Sequence, residues 1–116
     1  MDSASKDHVK DSGSTGRTGH VGSDYSSPEE RLNRYGTWSY KASESISYKF
    51  STATDIIMQL IISDGDPLRQ DRTNIFSTDF TKVSVATGNH SKQTLMQVIN
   101  YAQEYTDFVD EVVVVE

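Results

Sequence analysis

The chain has 116 residues, 34% of them apolar, and its 17 acidic against 11 basic side chains give a formal net charge of −6. The length suits one domain, and the absence of cysteine excludes a disulfide framework, a cysteine-ligated zinc site and a thiol nucleophile. No apolar run reaches the roughly 18 to 20 residues of a membrane helix, so the sequence predicts a soluble cytoplasmic protein with no membrane partner. No cluster of Lys or Arg marks a phosphate-binding surface, so no direct nucleic-acid partner is predicted.

The first 27 residues are rich in Ser, Gly, Asp and Thr and hold few apolar side chains. Such a segment buries too little apolar surface to offset the entropy of ordering it, so we predict a disordered tail over residues 1–27. The glycines at every third position from Gly13 to Gly22 are interpreted as chance spacing in a flexible linker. His8 and His20 have no partner ligand at a useful spacing and are expected to be solvated.

The next residues predict a short helix, two strands and a second helix. Ser27-Pro28 begins the short helix, which ends near Tyr35-Gly36. Alternation of apolar and polar residues between Trp38 and Phe50 predicts two antiparallel strands joined by a turn at Ala42-Ser43-Glu44. The apolar helix that follows begins at Thr52 and is stopped by the turn residues Asp64-Gly65-Asp66-Pro67.

The last third of the chain predicts a loop, two strands and a helix. Leu68 to Asn74 is the polar loop, and the strands run from Ile75 to Ala86-Thr87, where Gly88-Asn89 breaks the pattern. Apolar residues three and four apart between Leu95 and Val109 predict an amphipathic final helix. The expected fold class is α+β, a single domain in which an antiparallel sheet of about four strands has helices packed on one face.

Sequence motifs for chemistry are few. The chain has neither a phosphate-binding glycine loop nor a Gly-x-Ser-x-Gly elbow. The acids of Asp64-Gly65-Asp66 lack the glutamate of a calcium loop and are interpreted as turn formers, so no metal site is predicted. His90 stands where a strand is expected to pass into a helix, which leaves two interpretations open: a general acid or base, or a solvated loop residue.

The order of elements from Trp38 to about Asp110 resembles the pterin carbinolamine dehydratase family. The strand ending at Tyr48-Lys49-Phe50 is similar to an aromatic strand of that family, Lys82-Val83-Ser84-Val85 to a later strand, and His90 to the histidine that closes it. Further similarities fall at Phe76, Phe80 and the segment Ile99-Asn100-Tyr101-Ala102. The resemblance implies a dehydratase-like domain over residues 28–111, followed by a tail or edge strand at 112–116, and assembly into homodimers or tetramers.

The departures from that family concern its acid and base groups. Asp71-Arg72-Thr73-Asn74 stands where the resemblance leads us to expect Asp-His-His-Pro. Arginine cannot be deprotonated at physiological pH and threonine is a poor general base. The resemblance therefore implies a catalytically degenerate scaffold without a cofactor, acting as a non-enzymatic protein-binding, assembly or regulatory module for an unidentified protein partner.

The predicted binding residues of that module are Arg69, Arg72 and Thr73 in the loop and Phe76 just after it. The two arginines would offer bidentate donors to a carboxylate of the partner, and the alternative is a solvated polar loop. Two other functions remain open. One is an active dehydratase that takes a pterin and uses His90 as acid and base with Asp71 as its carboxylate partner. The other is an unrelated α+β viral or phage regulatory binding protein.

Overall fold

The computed structural model describes residues 1–63 and 65–108, so the predicted tail or edge strand at 112–116 lies outside the described residues. None of the helices in these two ranges is both long enough and apolar enough to cross a bilayer. In chain order the elements are α1 (Asp2–Thr15), α2 (Pro28–Asn33), β1 (Gly36–Thr37), β2 (Ala42–Tyr48), α3 (Ala53–Ile62), α4 (Gln70–Phe76), β3 (Lys82–His90), β4 (Thr94–Ala102) and β5 (Thr106–Asp107).

The main sheet has three antiparallel strands in the order β2-β4-β3, with β4 in the centre. Ile99 of β4 lies opposite Ser45 on β2 and Val85 on β3. The short strands β1 and β5 form a separate antiparallel pair, in which Gly36 lies opposite Asp107. The predicted fold class, a single small α+β domain with antiparallel sheets, is confirmed.

Helices cover both faces of the main sheet rather than the single face expected. Successive side chains of a strand point to opposite faces. On one face, Met96 and Val98 of β4 pack with Val9 of α1. On the other face, Ile99 and Tyr101 pack with Leu60 of α3. The sheet is therefore the middle layer of three, which is why its central strand is apolar on both sides.

The segment predicted as a disordered tail forms α1, which packs closely on β3 and β4 with few apolar side chains. Ser5 is buried, donates a hydrogen bond to Oδ1 of Asn100 (2.8 Å) and lies 2.6 Å from the hydroxyl of Ser84. Gly13 touches β3 so closely that a Cβ atom would overlap the carbonyl oxygen of Asn89. Small residues and buried hydrogen bonds supply contacts that a count of apolar residues misses, so composition alone led to the wrong prediction.

Two of the predicted helices are confirmed by their caps. Ser27 accepts a hydrogen bond from the backbone NH of Glu30, and the Glu30 carboxylate accepts one from the backbone NH of Ser27. The side chain of Thr52 accepts from the NH of Asp55 at the start of α3. The predicted loop from Leu68 to Asn74 is wrong for most of its length, because α4 occupies Gln70–Phe76.

The predicted final helix is also wrong, because its residues form β4. A central strand is buried on both faces, so nearly every position of β4 is buried, apolar side chains point to both faces, and some of them fall three or four apart by coincidence. The turn at Ser91–Gln93 joins β3 to β4, and Gly88-Asn89 continues β3 instead of breaking it. Ala42-Ser43-Glu44 starts β2 and is not a turn.

Candidate functional site

A buried polar cluster joins α2 to the main sheet. The side chains of Arg31 on α2 and Glu44 on β2 are 3% and 1% exposed. The Nη2 atom of Arg31 lies 2.9 and 3.1 Å from the two carboxylate oxygens of Glu44. Asn100 of β4 donates from Nδ2 to the same carboxylate at 3.0 Å. The carboxylate is therefore paired and hydrogen-bonded inside the fold, as a buried charge requires.

His20 connects this cluster to solvent. Its Nδ1 atom lies 2.9 Å from Oε1 of Glu44, and its side chain is 52% exposed. A carboxylate only accepts hydrogen bonds, so Nδ1 carries the proton. Arg31 also donates from Nη2 to the backbone carbonyl of His20 at 2.9 Å. The Nδ1 side of the ring is therefore held by Glu44, while half of the side chain stays exposed to solvent.

Two buried histidines hold the loop that presents His20. His8 is fully buried, and its Nε2 donates to the carbonyl oxygen of Gly19 at 2.8 Å. His90 is buried at the end of β3, and its Nε2 donates to the carbonyl oxygen of Arg17 at 2.8 Å. Tyr48 adds a third contact by accepting from the backbone NH of Gly19 at 2.9 Å. The loop between α1 and α2 is therefore anchored from three sides.

The pKa values of Glu44 and His20 move apart. Burial alone would raise the pKa of Glu44, but the hydrogen bond from His20 and the charge of Arg31 outweigh it and lower that pKa. The hydrogen bond to Glu44 raises the pKa of His20, against a smaller opposing effect of burial, and the charge of Asp71 raises it further. Each partner favours the ionised form of the other.

Asp71 lies on α4; burial raises its pKa, while Ser45 and the charge of His20 act to lower it. Asn74, one turn further along α4, donates to the backbone carbonyl of Glu44 and to the hydroxyl of Ser45, both at 3.3 Å. These bonds fix α4 against β2. The helix that sequence reasoning treated as a loop thus brings a carboxylate to the site.

An open groove of about 400 Å³ begins at Asp71 and runs along one face of α3. The residues that line the groove do not include Arg31, Glu44, Asn100 or His20. Asp71 lines the groove, and its charge also raises the pKa of His20. Within residues 1–63 and 65–108, no group of three His, Asp or Glu side chains is arranged to hold a metal ion.

The structure does not bring His90 and Asp71 together as an acid and base pair. The Nδ1 atom of His90 accepts from the backbone NH groups of Lys92 and Gln93 at 3.2 and 2.9 Å, so both ring nitrogens are used inside the fold. The ring packs edge-on against Tyr48, with 5.4 Å between centroids. The structure therefore does not form the predicted pair: His90 uses both ring nitrogens within the fold, and Asp71 lies on α4.

Among the predicted binding residues, Arg72 is occupied within the fold. Its Nε donates to the carbonyl oxygen of Ile61 and its Nη2 lies 3.4 Å from that of Ile62, so the guanidinium closes the end of α3. Arg69, Thr73 and Phe76 are exposed, and their role in binding stays a prediction.

Sequence reasoning missed the residues of the cluster, although one signal was present. Arg31, Glu44 and Asn100 lie in predicted or observed regular elements, where lone polar residues are usually solvated. Glu44 and Asn100 are opposite each other in the register of β2 and β4. Once the final helix is replaced by a strand, these two polar residues form a cross-strand pair on one face.

Three comparisons with known proteins bear on this architecture. A family model described as "CAP: Cysteine-rich secretory protein family" matches residues 1–105. Among solved structures, the fold is similar to an outer surface protein from Borrelia burgdorferi, with a TM-score of 0.71 and 12% sequence identity over 86% of this chain and 70% of that one. The comparison with curated proteins gave no match.

Neither match points to pterin carbinolamine dehydratases, so the resemblance to that family is wrong. The two matches also contradict the predicted functions, which were the degenerate dehydratase scaffold, the active dehydratase with a pterin, and the viral or phage regulatory protein. The resemblance to the dehydratase family rests on the order of the predicted elements. The last of these elements, the predicted C-terminal helix, is a strand in the structure.

Proposed function

Because the chain belongs to the CAP (cysteine-rich secretory protein) family, we propose that it acts outside the cytoplasm, as a secreted or surface-exposed domain whose His20 cluster is a ligand-binding site. The family match spans residues 1–105 and so includes the whole cluster. The same finding makes the predicted cytoplasmic location wrong, since the family is described as secretory. The chain has no cysteine, and buried hydrogen bonds from Ser5 and Arg31 hold α1 and α2 to the sheet.

The ligand-binding proposal rests on the hydrogen bonds of the Glu44 carboxylate, because each of its two oxygens already has two donors. One oxygen accepts from His20 and Arg31, and the other accepts from Arg31 and Asn100. A general base needs a free lone pair within reach of the substrate and a pKa near the working pH. Glu44 is buried with a lowered pKa, so its geometry favours orienting His20 over taking a proton.

His20 is the member of the cluster that a ligand can reach. Its Nε2 atom makes no hydrogen bond within the described ranges, whereas Nδ1 is bound to Glu44. The raised pKa extends the pH range over which Nε2 carries a proton and donates. Asp71, whose charge acts on this ring, supplies an acceptor on α4. A fixed donor together with this acceptor suits a polar ligand that carries both kinds of group.

Location and ligand binding are tested separately. Cells that produce the protein naturally are treated with an external protease, and we expect the protein to be degraded or found in the medium. Retention in a protease-protected cytoplasmic fraction would overturn the proposed location.

For the site, the purified chain is modified with diethyl pyrocarbonate and analysed by mass spectrometry. We expect rapid modification of His20 and protection of the buried His8 and His90. Adding the small-molecule fraction of the cells' own medium should slow the modification of His20. Equal rates with and without that fraction would contradict the binding role.

A further inference from the structure

The groove that begins at Asp71 follows one face of α3. Asp55, Met58, Gln59 and Ile62 line it and stand at positions i, i+3, i+4 and i+7, which share one side of a helix. The other lining residues are Phe50, Ser63, Asp66 and Asp71. The axial distance from Asp55 to Ile62 is about 10 Å at the helical rise of 1.5 Å per residue.

Carboxylates stand at both ends of this groove. Asp55 lies in the first turn of α3, and Asp66 and Asp71 lie beyond the last turn. No Lys or Arg is among the described residues that line it. Of the nearby cations, Arg72 is held by the carbonyl groups at the end of α3, and Arg69 lines the adjacent hollow together with Asp66. The groove therefore favours a ligand with positive charge at each end.

The middle of the groove is apolar and uncovered. Met58 and Ile62 are 49% and 51% exposed, and Phe50 across from them is also exposed. Exposure of apolar side chains of this size to water is unfavourable. Contact with an alkyl chain would remove part of that surface from water and so favour binding. The pattern is charge at the ends with an apolar centre.

Ser63 supplies a second, independent indication of a ligand. It lines the groove, is only 7% exposed, and its Oγ atom has no hydrogen-bond partner among residues 1–63 and 65–108. A buried hydroxyl without a partner is unfavourable. The oxygen has free lone pairs that an N–H donor of a bound ligand would satisfy.

The carboxylates at the far end are suited to meet a cation. Asp66 accepts from the backbone NH groups of Gln70 (2.9 Å) and Leu68 (3.0 Å), which hold its pKa low and keep it ionised. Each oxygen uses one lone pair in these bonds and retains another. Asp71 is half-buried, so an ammonium group beside it would offset the unfavourable effect of burial on its charge.

We propose that this groove binds a linear aliphatic polyamine, with one ammonium group at Asp55, another at Asp66 and Asp71, the methylene groups on Met58 and Ile62, and an N–H of the ligand donating to Oγ of Ser63. An anionic lipid would meet three carboxylates and is disfavoured. The inference rests on the proposed function in taking Asp71 as part of the ligand site, and it extends that function by naming the class of ligand.

The test is calorimetric titration of the full chain with spermidine. We expect saturable binding that weakens about threefold in Asp55→Asn and in Asp71→Asn, because each solvent-accessible ion pair contributes only modestly to affinity. Asp79→Asn is the matched control: it removes the same charge from an exposed acid that pairs with Lys41 outside the groove, and binding should not change. The shorter 1,4-diaminobutane should bind more weakly than spermidine, because it cannot reach both ends.

Ser63→Gly separates a ligand contact from a structural role. Ser63 has a left-handed backbone (φ 49°), which glycine adopts more readily, so the variant should have a higher Tm. It lacks the hydroxyl, so spermidine should bind more weakly. Unchanged spermidine affinity in Ser63→Gly would overturn the proposal. So would a loss of affinity in Asp79→Asn equal to that in Asp55→Asn or Asp71→Asn, or a lysine-rich peptide that binds more tightly and displaces spermidine. None of these results depends on cell location or on the modification of His20, so a failure here is distinct from a failure of the proposed function.

Discussion

Arg31 and Glu44 form an ion pair that is almost completely buried, with one guanidinium nitrogen between both carboxylate oxygens. The pair joins α2 to β2, and His20 and Asn100 complete the hydrogen bonding of the carboxylate. Removing Glu44 alone would leave Arg31 buried without a counter-charge, and removing Arg31 alone would leave the buried Glu44 carboxylate with only His20 and Asn100 as partners.

Arg31→Ala should therefore be strongly destabilising. We expect a loss of about 3 to 5 kcal/mol in the free energy of unfolding, measured by urea denaturation, because Glu44 would stay buried without its cation. Arg34→Ala is the control, since Arg34 pairs with Asp7 and Asp24 at the surface and should cost less than about 1 kcal/mol. Similar losses in the two variants would contradict the importance of burial.

Glu44→Gln should lower the pKa of His20 toward its ordinary value of 6.5, because the hydrogen bond to the carboxylate is the largest cause of its upward shift. The titration is followed by NMR of the imidazole nitrogens. Asp71→Asn should lower the same pKa by a smaller amount. A His20 pKa that does not move in Glu44→Gln would show that the ring does not sense this carboxylate.

His8 should make the protein less stable in mild acid. Burial, followed by the charge of Arg31, lowers the pKa of His8 in the folded state, so the unfolded chain binds a proton more readily. Stability is then full above pH 6.5 and falls as the pH drops from 6.5 through the lowered pKa of His8. His20 has the opposite shift, so its stabilising effect is full below pH 6.5 and is lost as the pH rises through its raised pKa.

The measurement is urea denaturation at a series of pH values below the ordinary histidine pKa of 6.5. His8→Gln should flatten the dependence of stability on pH in this range, whatever its effect on stability at neutral pH. The same slope in wild type and variant would assign the acid sensitivity to other groups.

Gly13→Ala should destabilise the fold because the added Cβ would meet the backbone of Asn89, which has no flexible end to move aside. We expect a cost of about 1 to 3 kcal/mol, the range for overpacked positions. Ser14→Ala, at an exposed position in the same helix, should change stability little. If residues 1–15 were a disordered tail, both variants would behave like wild type.

His90→Ala should reduce stability by about 1 to 3 kcal/mol, because two backbone NH groups lose their acceptor and the carbonyl of Arg17 loses its donor. Lys92→Ala, in the exposed turn beside it, is the control. An activity that disappears in His90→Ala while the free energy of unfolding stays constant would restore a catalytic role for this residue.

The elements that the sequence predicts correctly are those with a strong local signal. The caps at Ser27 and Thr52 mark α2 and α3 because a short-range hydrogen bond decides where a helix begins. The final strand could not be recognised in this way: burial on two faces removes the alternation that identifies a half-buried strand. The expectation of homodimers or tetramers stays a prediction.

The candidate site was harder to predict than the fold because its members come from distant parts of the chain. His20 and Glu44 are 24 positions apart, and Glu44 and Asn100 are 56 apart. His20 belonged to the segment expected to be disordered, and the low apolar content of that segment hid the small buried residues of α1. Only the pairing of β2 with β4 reveals why a glutamate and an asparagine lie opposite each other.

The central position of β4 has a consequence for the order in which the domain assembles. Both β2 and β3 have β4 as their sheet neighbour in the described structure, although β4 follows them in the chain. A growing chain that has been made only as far as His90 lacks the strand that joins them, and Glu44 lacks its contact from Asn100. The sheet and the polar cluster are therefore completed together, only after β4 has been made, through contacts of long sequence separation that close slowly. A chain that ends before β4 therefore keeps β2 and β3 apart, and both strand edges that β4 covers in the finished sheet stay open.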